Sequence, residues 1–251
     1  MVEYIVSEGK YLRGFFSNYL TVVNSIIMLQ KNGVPSSNIK LGPKLFHLYG
    51  QASNWFDASI CSQNGIEWDS LQGFGLGPWP TNDELQAYRD VLKALPWNER
   101  VNALISQAQQ KIQGCVVGVH FRGTDHNDDA HGPRIDLDVY KKLILEQCSS
   151  LDTSKIFVCT DEKGIVENIQ AWISTVMPQA TLLYNDFCKM PMSQGLHWPN
   201  SPFNKIQIAD EVIQDMICLS KCKVIIGKTS NVSTVARLYN KDVQMVYCDK
   251  S

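Results

Sequence analysis

The chain has 251 residues, of which 44% are hydrophobic and 19% are charged, and its formal net charge is −2. This composition is typical of soluble globular proteins, and it excludes a disordered, collagen-like or small disulfide-built chain. A chain of this length buries enough surface to fold without a covalent staple. The charge balance argues against a dedicated duplex nucleic-acid binder, so no nucleic-acid partner is expected.

The first half of the chain predicts a small α/β lobe with irregular connections. A short strand over residues 3–6 precedes a strong helix over residues 15–30. Three further helices are predicted over residues 54–59, 83–95 and 98–112, and residues 66–80 are predicted to form a loop. We place a domain boundary between residues 113 and 114, so that residues 1–113 form the N-terminal lobe.

The second half, residues 114–251, alternates short apolar strands with longer helices. The strands are predicted over residues 115–120, 155–159, 180–184, 224–226 and 243–247. The helices between them are predicted over residues 136–147, 163–176, 204–220 and 230–239. This order is typical of a parallel sheet with right-handed crossovers, a Rossmann-like domain. Ligands of such sheets bind outside the carboxyl ends of the strands, which directs the search for a site.

Charged side chains follow the first two strands of this sheet. Arg122 comes directly after a buried strand, where a charge is costly unless it meets an anion. Its planar guanidinium suits a phosphate group, and an inter-lobe salt bridge is the alternative. Asp161 follows the second strand, where it either caps the next helix or takes part in the site.

The fourth strand leads into a turn rich in hydroxyl and amide side chains. Lys228, Thr229, Ser230 and Asn231 follow a glycine at the predicted start of a helix. The free backbone N–H groups of a helix start bind anions, and the lysine adds positive charge. A plain capped turn is the alternative. Together with Arg122 at a neighbouring strand end, this turn predicts a clamp for a diphosphate.

Metal and thiol chemistry are not expected. The Asp136-Leu-Asp138 segment matches a metal-binding D-x-D motif, but it opens a helix and therefore favours capping. The histidines near residues 120–131 lack a recognised metal-ligand spacing. The eight cysteines are scattered singly, which favours reduced core thiols in a cytosolic protein. Their even number leaves a secreted protein as the alternative.

Neither a secretory signal nor a spanning segment is apparent in the sequence. The first residues lack a basic region and a small-residue cleavage site, and no apolar run reaches the length of a transmembrane helix. We therefore expect a cytoplasmic protein without a transmembrane segment.

Three segments in the second half resemble the motifs of the GDP-fucosyltransferase superfamily. Residues 120–125, His-Phe-Arg-Gly-Thr-Asp, are similar to its H-x-R-R-x-D motif, and residues 158–161 resemble its strand ending in Thr-Asp. Residues 215–220 and 227–233 resemble the segment D-x-x-x-L-S followed by G-T-x-S-S-x-x-S. Gly14, at the start of the first helix, occupies the place of the N-terminal glycine loop.

The resemblance implies a GT-B-like fold with two Rossmann-like lobes, the donor being held by the C-terminal lobe and the acceptor by the N-terminal one. It implies inverting, metal-independent transfer of L-fucose from GDP-fucose to a glycan hydroxyl, without a cofactor. Carried over by position, Arg122 would hold the β-phosphate, and His120 and Asp215 would face the guanine. Ser230, with Thr229 and Asn231, would bind phosphate oxygens, and Asp161 would orient Arg122 or the sugar.

Two departures from the family pattern leave the donor sugar and the acceptor open. Gly123 stands where the family has a second arginine, and the position of the family's catalytic glutamate falls on Ala130. Asp125, Asp128 and Asp129 are therefore the candidates for the general base. The alternatives are the same scaffold with another deoxyhexose or pentose donor, or a non-catalytic module that binds nucleotides or glycans.

Aromatic side chains in irregular segments are candidates for contacts with the acceptor. Trp55 lies in the N-terminal lobe, and His197 and Trp198 lie in the long loop after the third strand. Aromatic faces stack on sugar rings, and packing between loop and lobe is the alternative.

Overall fold

A computed structural model describes residues 2–7, 14–43, 45–69, 82–123, 134–191, 195–196 and 201–249. The chain divides into two compact units, residues 1–104 and 105–251. The division falls inside the helix Glu99–Lys111, earlier than the predicted boundary at residue 113. The end of that helix belongs to the C-terminal unit, where the carbonyl of Ala108 accepts a hydrogen bond from Cys218 Sγ at 3.6 Å.

The N-terminal unit contains a three-stranded parallel sheet of order β2-β1-β3. Its strands are β1 Tyr4–Ser7, β2 Ile39–Leu41 and β3 Ile66–Asp69, and its helices are α1 Phe15–Lys31, α2 Asn82–Ala94 and α3 Glu99–Lys111. Within the described residues, four 3₁₀ turns lie between α1 and β3, at Ser36–Asn38, His47–Tyr49, Ala52–Asn54 and Ala58–Ile60.

The prediction for this unit was right about its long helices and about β1, and wrong about the other two strands. Residues 66–69 form β3 instead of the predicted loop, because they pair in parallel with β1. β2, with only three residues, was not predicted. The helix predicted over residues 54–59 is replaced by two 3₁₀ turns, the second of which is capped by Asp57. The rest of the predicted loop, residues 70–80, lies outside the described residues.

The C-terminal unit contains a five-stranded parallel sheet of order β6-β5-β4-β7-β8, which confirms the Rossmann-like prediction. The strands are β4 Val117–Phe121, β5 Lys155–Thr160, β6 Thr181–Tyr184, β7 Val224–Gly227 and β8 Gln244–Tyr247. The helices are α4 Leu137–Ser150, α5 Ile165–Val176, α6 Lys205–Lys221 and α7 Asn231–Tyr239. Each element lies within a few residues of its predicted range.

The residues of β4 alternate between two faces of this sheet. Val117, Val119 and Phe121 join a buried apolar cluster with residues of α4 and α5. Gly118 points to the opposite face, where a β-carbon would lie 3.0 Å from Cys222 Sγ at the end of α6. Burying a valine side chain stabilises a fold by about 1.5–3 kcal/mol, so the face of β4 that carries Val117 and Val119 anchors the sheet.

The order of the strands places a topological switch point between β4 and β7. The chain runs from β4 outward through β5 to β6, then returns to pair β7 with the other side of β4. Such a reversal opens a crevice at the carboxyl ends of the two strands, and ligands of open α/β sheets bind there. The fold therefore places residues 121–123 and 228–230 at the edge where a ligand is expected.

Gly227 tests how closely the two strands must approach. A β-carbon at residue 227 would lie 2.7 Å from the backbone oxygen of His120, its partner in register. Because that atom belongs to the backbone of a central strand, we expect Gly227→Ala to lower the free energy of unfolding by about 1–3 kcal/mol. Urea denaturation measures the change.

Gly118→Ala serves as the comparison, since its closest new neighbours are side-chain atoms of Cys222 and Leu219 at 3.0–3.2 Å. Side chains can move aside, so its loss of stability should be smaller. Equal losses in the two variants would contradict the backbone constraint at Gly227.

Candidate functional site

Three neighbouring strands bring the predicted site residues to one edge of the C-terminal sheet. His120 on β4 is in register with Cys159 on β5 and with Gly227 on β7. Because the strands are parallel, the residues that follow them emerge at the same edge. Arg122, which is half-buried, follows β4, and Lys228 follows β7.

A hydrogen bond joins the end of β4 to the start of α7. His120 is 5% exposed, and its Nδ1 lies 3.1 Å from Ser230 Oγ. Ser230 is also the N-cap of α7: its Oγ accepts a hydrogen bond from the N–H of Ser233 at 3.1 Å, and its own N–H donates to Ser233 Oγ at 3.2 Å. This capping box fixes where α7 begins.

The capping box changes the part that this turn can play in binding an anion. The hydroxyl of Ser230 is already hydrogen-bonded to Ser233 and His120, so binding a phosphate through this oxygen would compete with those bonds. The N–H groups of Asn231 and Val232, in the first turn of α7, lie outside the box and point out of the helix start. The helix dipole and the buried Lys228, which is 8% exposed, add positive potential there. Thr229, beside them, is half-buried.

Asp215 on α6 lies at the centre of a polar network behind the end of β5. Cys159 Sγ donates to its Oδ2 at 3.2 Å, and Asn185 Nδ2 donates to its Oδ1 at 2.6 Å. Asn185 Oδ1 in turn accepts from Lys111 Nζ at 2.6 Å. Burial raises the pKa of Asp215 to about 6, against the opposing effect of the hydrogen bonds from Asn185 and Cys159. The side chain therefore titrates near neutral pH.

Asp161 does not cap the helix that follows β5, so that alternative for Asp161 was wrong. The N-cap of α5 is Gly164, in the left-handed region with φ 86°, and it has no side-chain cap. The carbonyl of Asp161 accepts a hydrogen bond from the N–H of Met190 at 2.9 Å, which fixes its backbone at the sheet edge.

Glu162 is a residue of this edge that sequence reasoning missed. It is 6% exposed, and its Oε1 accepts a hydrogen bond at 2.7 Å from Arg134 Nη2. The Arg134 guanidinium also lies 5.4 Å from the centre of the Phe121 ring. A β-carbon at residue 123 would overlap Glu162 Oε2, so Gly123 leaves the space that this carboxylate fills. The glycine at position 123 of the motif is the sequence signal that could have indicated a close neighbour here.

The prediction that Trp55 contacts the acceptor was wrong, because its ring is not accessible to a sugar. The side chain is fully buried in an aromatic cluster of the N-terminal unit, 4.9 Å from the ring of Phe15. Its Nε1 donates to the carbonyl of Tyr49 at 3.2 Å, and the Arg100 guanidinium lies 5.0 Å from its ring centre. Packing, the alternative considered for this tryptophan, explains it.

The remaining candidates differ in what the structure says of them. Gly14 is the N-cap of α1 in the N-terminal unit, with extended backbone angles of −64° and 155°. Asp136 caps α4, as predicted, by accepting from the N–H of Asp138 at 2.9 Å. The candidates Asp125, Asp128, Asp129, His197 and Trp198 lie outside the described residues.

Most of the cysteines are core thiols. All eight are free, and five of them are buried. Burial raises the pKa of Cys148 to about 11 and that of Cys218 to about 12, so these thiols stay protonated at neutral pH. Of the helices in the described ranges, none combines the length and the apolar character that crossing a bilayer requires.

Comparisons with known proteins identify the fold. No family model matches the chain, and no curated protein matches it in sequence. Among solved structures, it is similar to the fucosyltransferase NodZ from Bradyrhizobium, at 13% identity and a TM-score of 0.53, over 96% of this chain and 94% of that one. A NodZ alpha-1,6-fucosyltransferase co-crystallized with GDP matches at 14% identity and a TM-score of 0.52, over 96% and 93%.

POFUT1 in complex with GDP matches at 10% identity and a TM-score of 0.56, over 98% of each chain. The chain thus has the GT-B-like fold of these fucosyltransferases, which confirms the predicted fold class and, at the level of fold, the resemblance drawn from the motifs.

The titration of Asp215 predicts how stability depends on pH. Its pKa is raised from 3.8 to about 6, so the folded state binds an extra proton between these values. Stability from this group is therefore full below pH 4 and is lost as the pH rises to 6, by about 3 kcal/mol. Urea denaturation from pH 4 to 8 measures it in the wild type and in Asp215→Asn, which cannot titrate.

The difference in stability between the two proteins isolates Asp215 from the other carboxylates. It should change between pH 4 and 6 and be constant above pH 7. A difference that is constant over the whole range would show that Asp215 is ionised throughout.

Proposed function

We propose that this chain is a glycosyltransferase that transfers fucose from GDP-fucose to a hydroxyl group of a glycan, with inversion and without a metal ion. The observation that carries the proposal is the hydrogen bond between His120 and Ser230, which joins the β4 and α7 ends at the switch point of the sheet. Arg122 and Lys228 emerge at the same edge. The fold shared with NodZ and POFUT1 supports the same assignment.

The guanine base is assigned to His120 and Asp215. An ionised carboxylate only accepts hydrogen bonds, and it can accept both the N1–H and the N2–H of guanine. Uracil offers no such pair of adjacent donors. Asp215 keeps two donors of the protein on its oxygens, and each carboxylate oxygen has a second lone pair for the base.

The diphosphate is assigned to Arg122 and to the turn that begins α7. The guanidinium of Arg122 would hold the β-phosphate through two N–H groups. Thr229, Lys228 and the N–H groups of Asn231 and Val232 would surround the remaining oxygens, while Ser230 holds the turn in place. Asp161, at the end of the neighbouring strand, would orient Arg122 or the sugar.

The reaction needs charge stabilisation on one side of the sugar and a base on the other. The acceptor oxygen attacks C1 while the bond from C1 to the β-phosphate oxygen breaks, and GDP leaves with that electron pair. Arg122 and the start of α7 stabilise the developing negative charge, a role that a metal ion fills in other transferases. A carboxylate among Asp125, Asp128 and Asp129 would take the proton of the acceptor hydroxyl.

The acceptor and the location of the protein complete the proposal. The N-terminal lobe is assigned to the acceptor, with His197 and Trp198 as candidates for its contacts. Gly14, the N-cap of α1, is assigned to the binding of the donor. A cytoplasmic location also belongs to this proposal, and the eight free thiols are compatible with it.

A second candidate function is a non-catalytic module that binds a nucleotide or a glycan. It is favoured by Gly123 and Glu162, because a carboxylate fills the space beside the motif where the family has a second arginine. One cation fewer at the diphosphate would weaken stabilisation of the leaving group. The same departure from the family keeps a further alternative, in which the transferred sugar is another deoxyhexose or a pentose.

Arg122 is the residue whose loss separates binding from transfer. We expect Arg122→Ala to lower the rate of transfer, or of donor hydrolysis, by about 10²–10³-fold, because it removes a group that contacts the developing charge. Arg122→Lys keeps the charge without the fork, so its rate should be intermediate. Product formation from GDP-fucose measures these rates.

Lys142→Ala is the control for the loss of a cation, since Lys142 is 76% exposed on α4. It should leave the rate unchanged. Full activity in Arg122→Ala would remove Arg122 from the clamp.

A nucleotide panel tests the donor class directly. We expect GDP to raise the melting temperature, because a ligand that binds only the folded state stabilises it. UDP, CMP, dTDP and NAD should raise it much less, and EDTA should leave the effect of GDP unchanged. Differential scanning fluorimetry with each nucleotide, with EDTA or with Mg²⁺, gives these shifts.

A shift with UDP or dTDP would keep the fold and overturn the guanine assignment. A GDP effect that disappears with EDTA would contradict metal independence. GDP binding without transfer or hydrolysis of any GDP-sugar would favour the binding module.

A further inference from the structure

Asn185 contacts Asp215 and lies outside the motifs of the site. It directly follows β6, is 8% exposed, and donates through Nδ2 to Asp215 Oδ1 at 2.6 Å. Its Oδ1 accepts from Lys111 Nζ at 2.6 Å. Lys111 ends α3, 74 residues earlier in the chain, so two distant segments converge on one carboxylate.

The chemistry of Lys111 decides which way the amide of Asn185 faces. An ammonium group can only donate hydrogen bonds, so it requires the carbonyl oxygen of the amide. The NH₂ end then faces Asp215, where it can only donate. Flipping the amide would place its oxygen against a carboxylate oxygen and its NH₂ group against an ammonium, both of which are repulsive. Lys111 therefore fixes Asn185 as a hydrogen-bond donor to Asp215.

The ionised and neutral forms of Asp215 are close in free energy near pH 6, because some of the surrounding groups favour one form and some the other. Donors and cations favour the ionised form, and burial, together with Glu211 on the same helix, favours the neutral form. The titratable and charged groups that face Asp215 directly or through Asn185 are Cys159 from β5, Lys189 from the segment after β6, Glu211 and Cys218 from α6, and Lys111 from α3.

The protonation state of Asp215 decides which purine it can bind. The ionised carboxylate accepts two hydrogen bonds, which matches N1–H and N2–H of guanine. The protonated acid has one donor and one acceptor, which matches the N1 acceptor and the N6–H donor of adenine. A site binds a ligand much more weakly when one of its buried polar groups lacks a matching partner on that ligand. The protonation state of Asp215 can therefore reverse the preference between guanine and adenine.

We propose that Asn185, oriented by Lys111, is a specificity-determining positioning residue that holds Asp215 as an acceptor and so makes the site select guanine over adenine. This inference rests on the proposed GDP site. It assigns to two residues outside the motifs the task of keeping the base-binding carboxylate ionised at neutral pH.

The test compares GDP with ADP on the full chain. Isothermal titration calorimetry gives both affinities between pH 5 and 8. Their ratio is the readout, because the two ligands carry the same diphosphate and its own titration cancels. In the wild type, preference for GDP should rise about tenfold between pH 5 and 7, with a midpoint near pH 6.

Three variants change the donor at Asp215 in different ways. Asn185→Asp places a second carboxylate against Asp215, so the two share a proton, and the midpoint should rise by at least one pH unit. Asn185→Ala removes the donor without adding charge and should raise the midpoint by less. Lys111→Met releases the amide and should lower the preference for GDP at pH 6 about threefold. Gln170→Glu, on an exposed site of α5, is the control for net charge and should change nothing.

The outcomes separate the inference from the proposed function. If the wild type binds neither nucleotide, the proposed GDP site is wrong. If the wild type prefers GDP and Asp215→Asn loses that preference, while Asn185→Ala and Lys111→Met keep the wild-type midpoint, the site stands and the inference fails. Circular dichroism establishes that each variant is folded, and Asn185→Ala decides the case if Asn185→Asp does not fold.

Discussion

The close approach of β4 and β7 is the constraint on which the rest of the candidate site depends. Gly227 lies so near the backbone oxygen of His120 that a β-carbon would have no room. Without that approach Ser230 could not reach His120 Nδ1, and α7 could not begin beside the end of β4. The motif residues on β4 and the turn before α7 form one site because a glycine allows two backbones to meet.

The alternation of side chains along the strands then divides the edge between two tasks. His120 and Cys159 point to the face covered by α6 and α7. There His120 is hydrogen-bonded to Ser230, and Cys159 to Asp215. Phe121 points to the face of α4 and α5, against which the Arg134 guanidinium lies. The polar groups suited to binding a base therefore lie on one face of the sheet. On the other face lies the salt bridge between Arg134 and Glu162.

The C-terminal sheet could be predicted because its signals are local. Each strand is a short apolar run and each helix has a cap or a glycine nearby, so the element ranges and the strand-end residues followed from neighbours in the chain. The N-terminal unit was harder, since β2 and β3 are strands only through their pairing with β1. Trp55 stands in an irregular segment, yet aromatic packing buries it completely. Asn185 and Glu162 were missed because their partners, Lys111 and Arg134, are distant in sequence.

The two carboxylates of this edge are compensated in different ways, and the difference bears on function. Glu162 is paired directly with the guanidinium of Arg134, so its charge is neutralised inside the protein. Asp215 receives hydrogen bonds from a thiol and an amide, both neutral, and Lys111 reaches it only through that amide. Burial raises the pKa of Asp215 to about 6, because the hydrogen bonds from Asn185 and Cys159 and the charge of Lys189 offset only part of the cost of burying a carboxylate. A ligand with two adjacent N–H groups would supply what is lacking, so Asp215 is the carboxylate suited to recognition and Glu162 the one suited to structure.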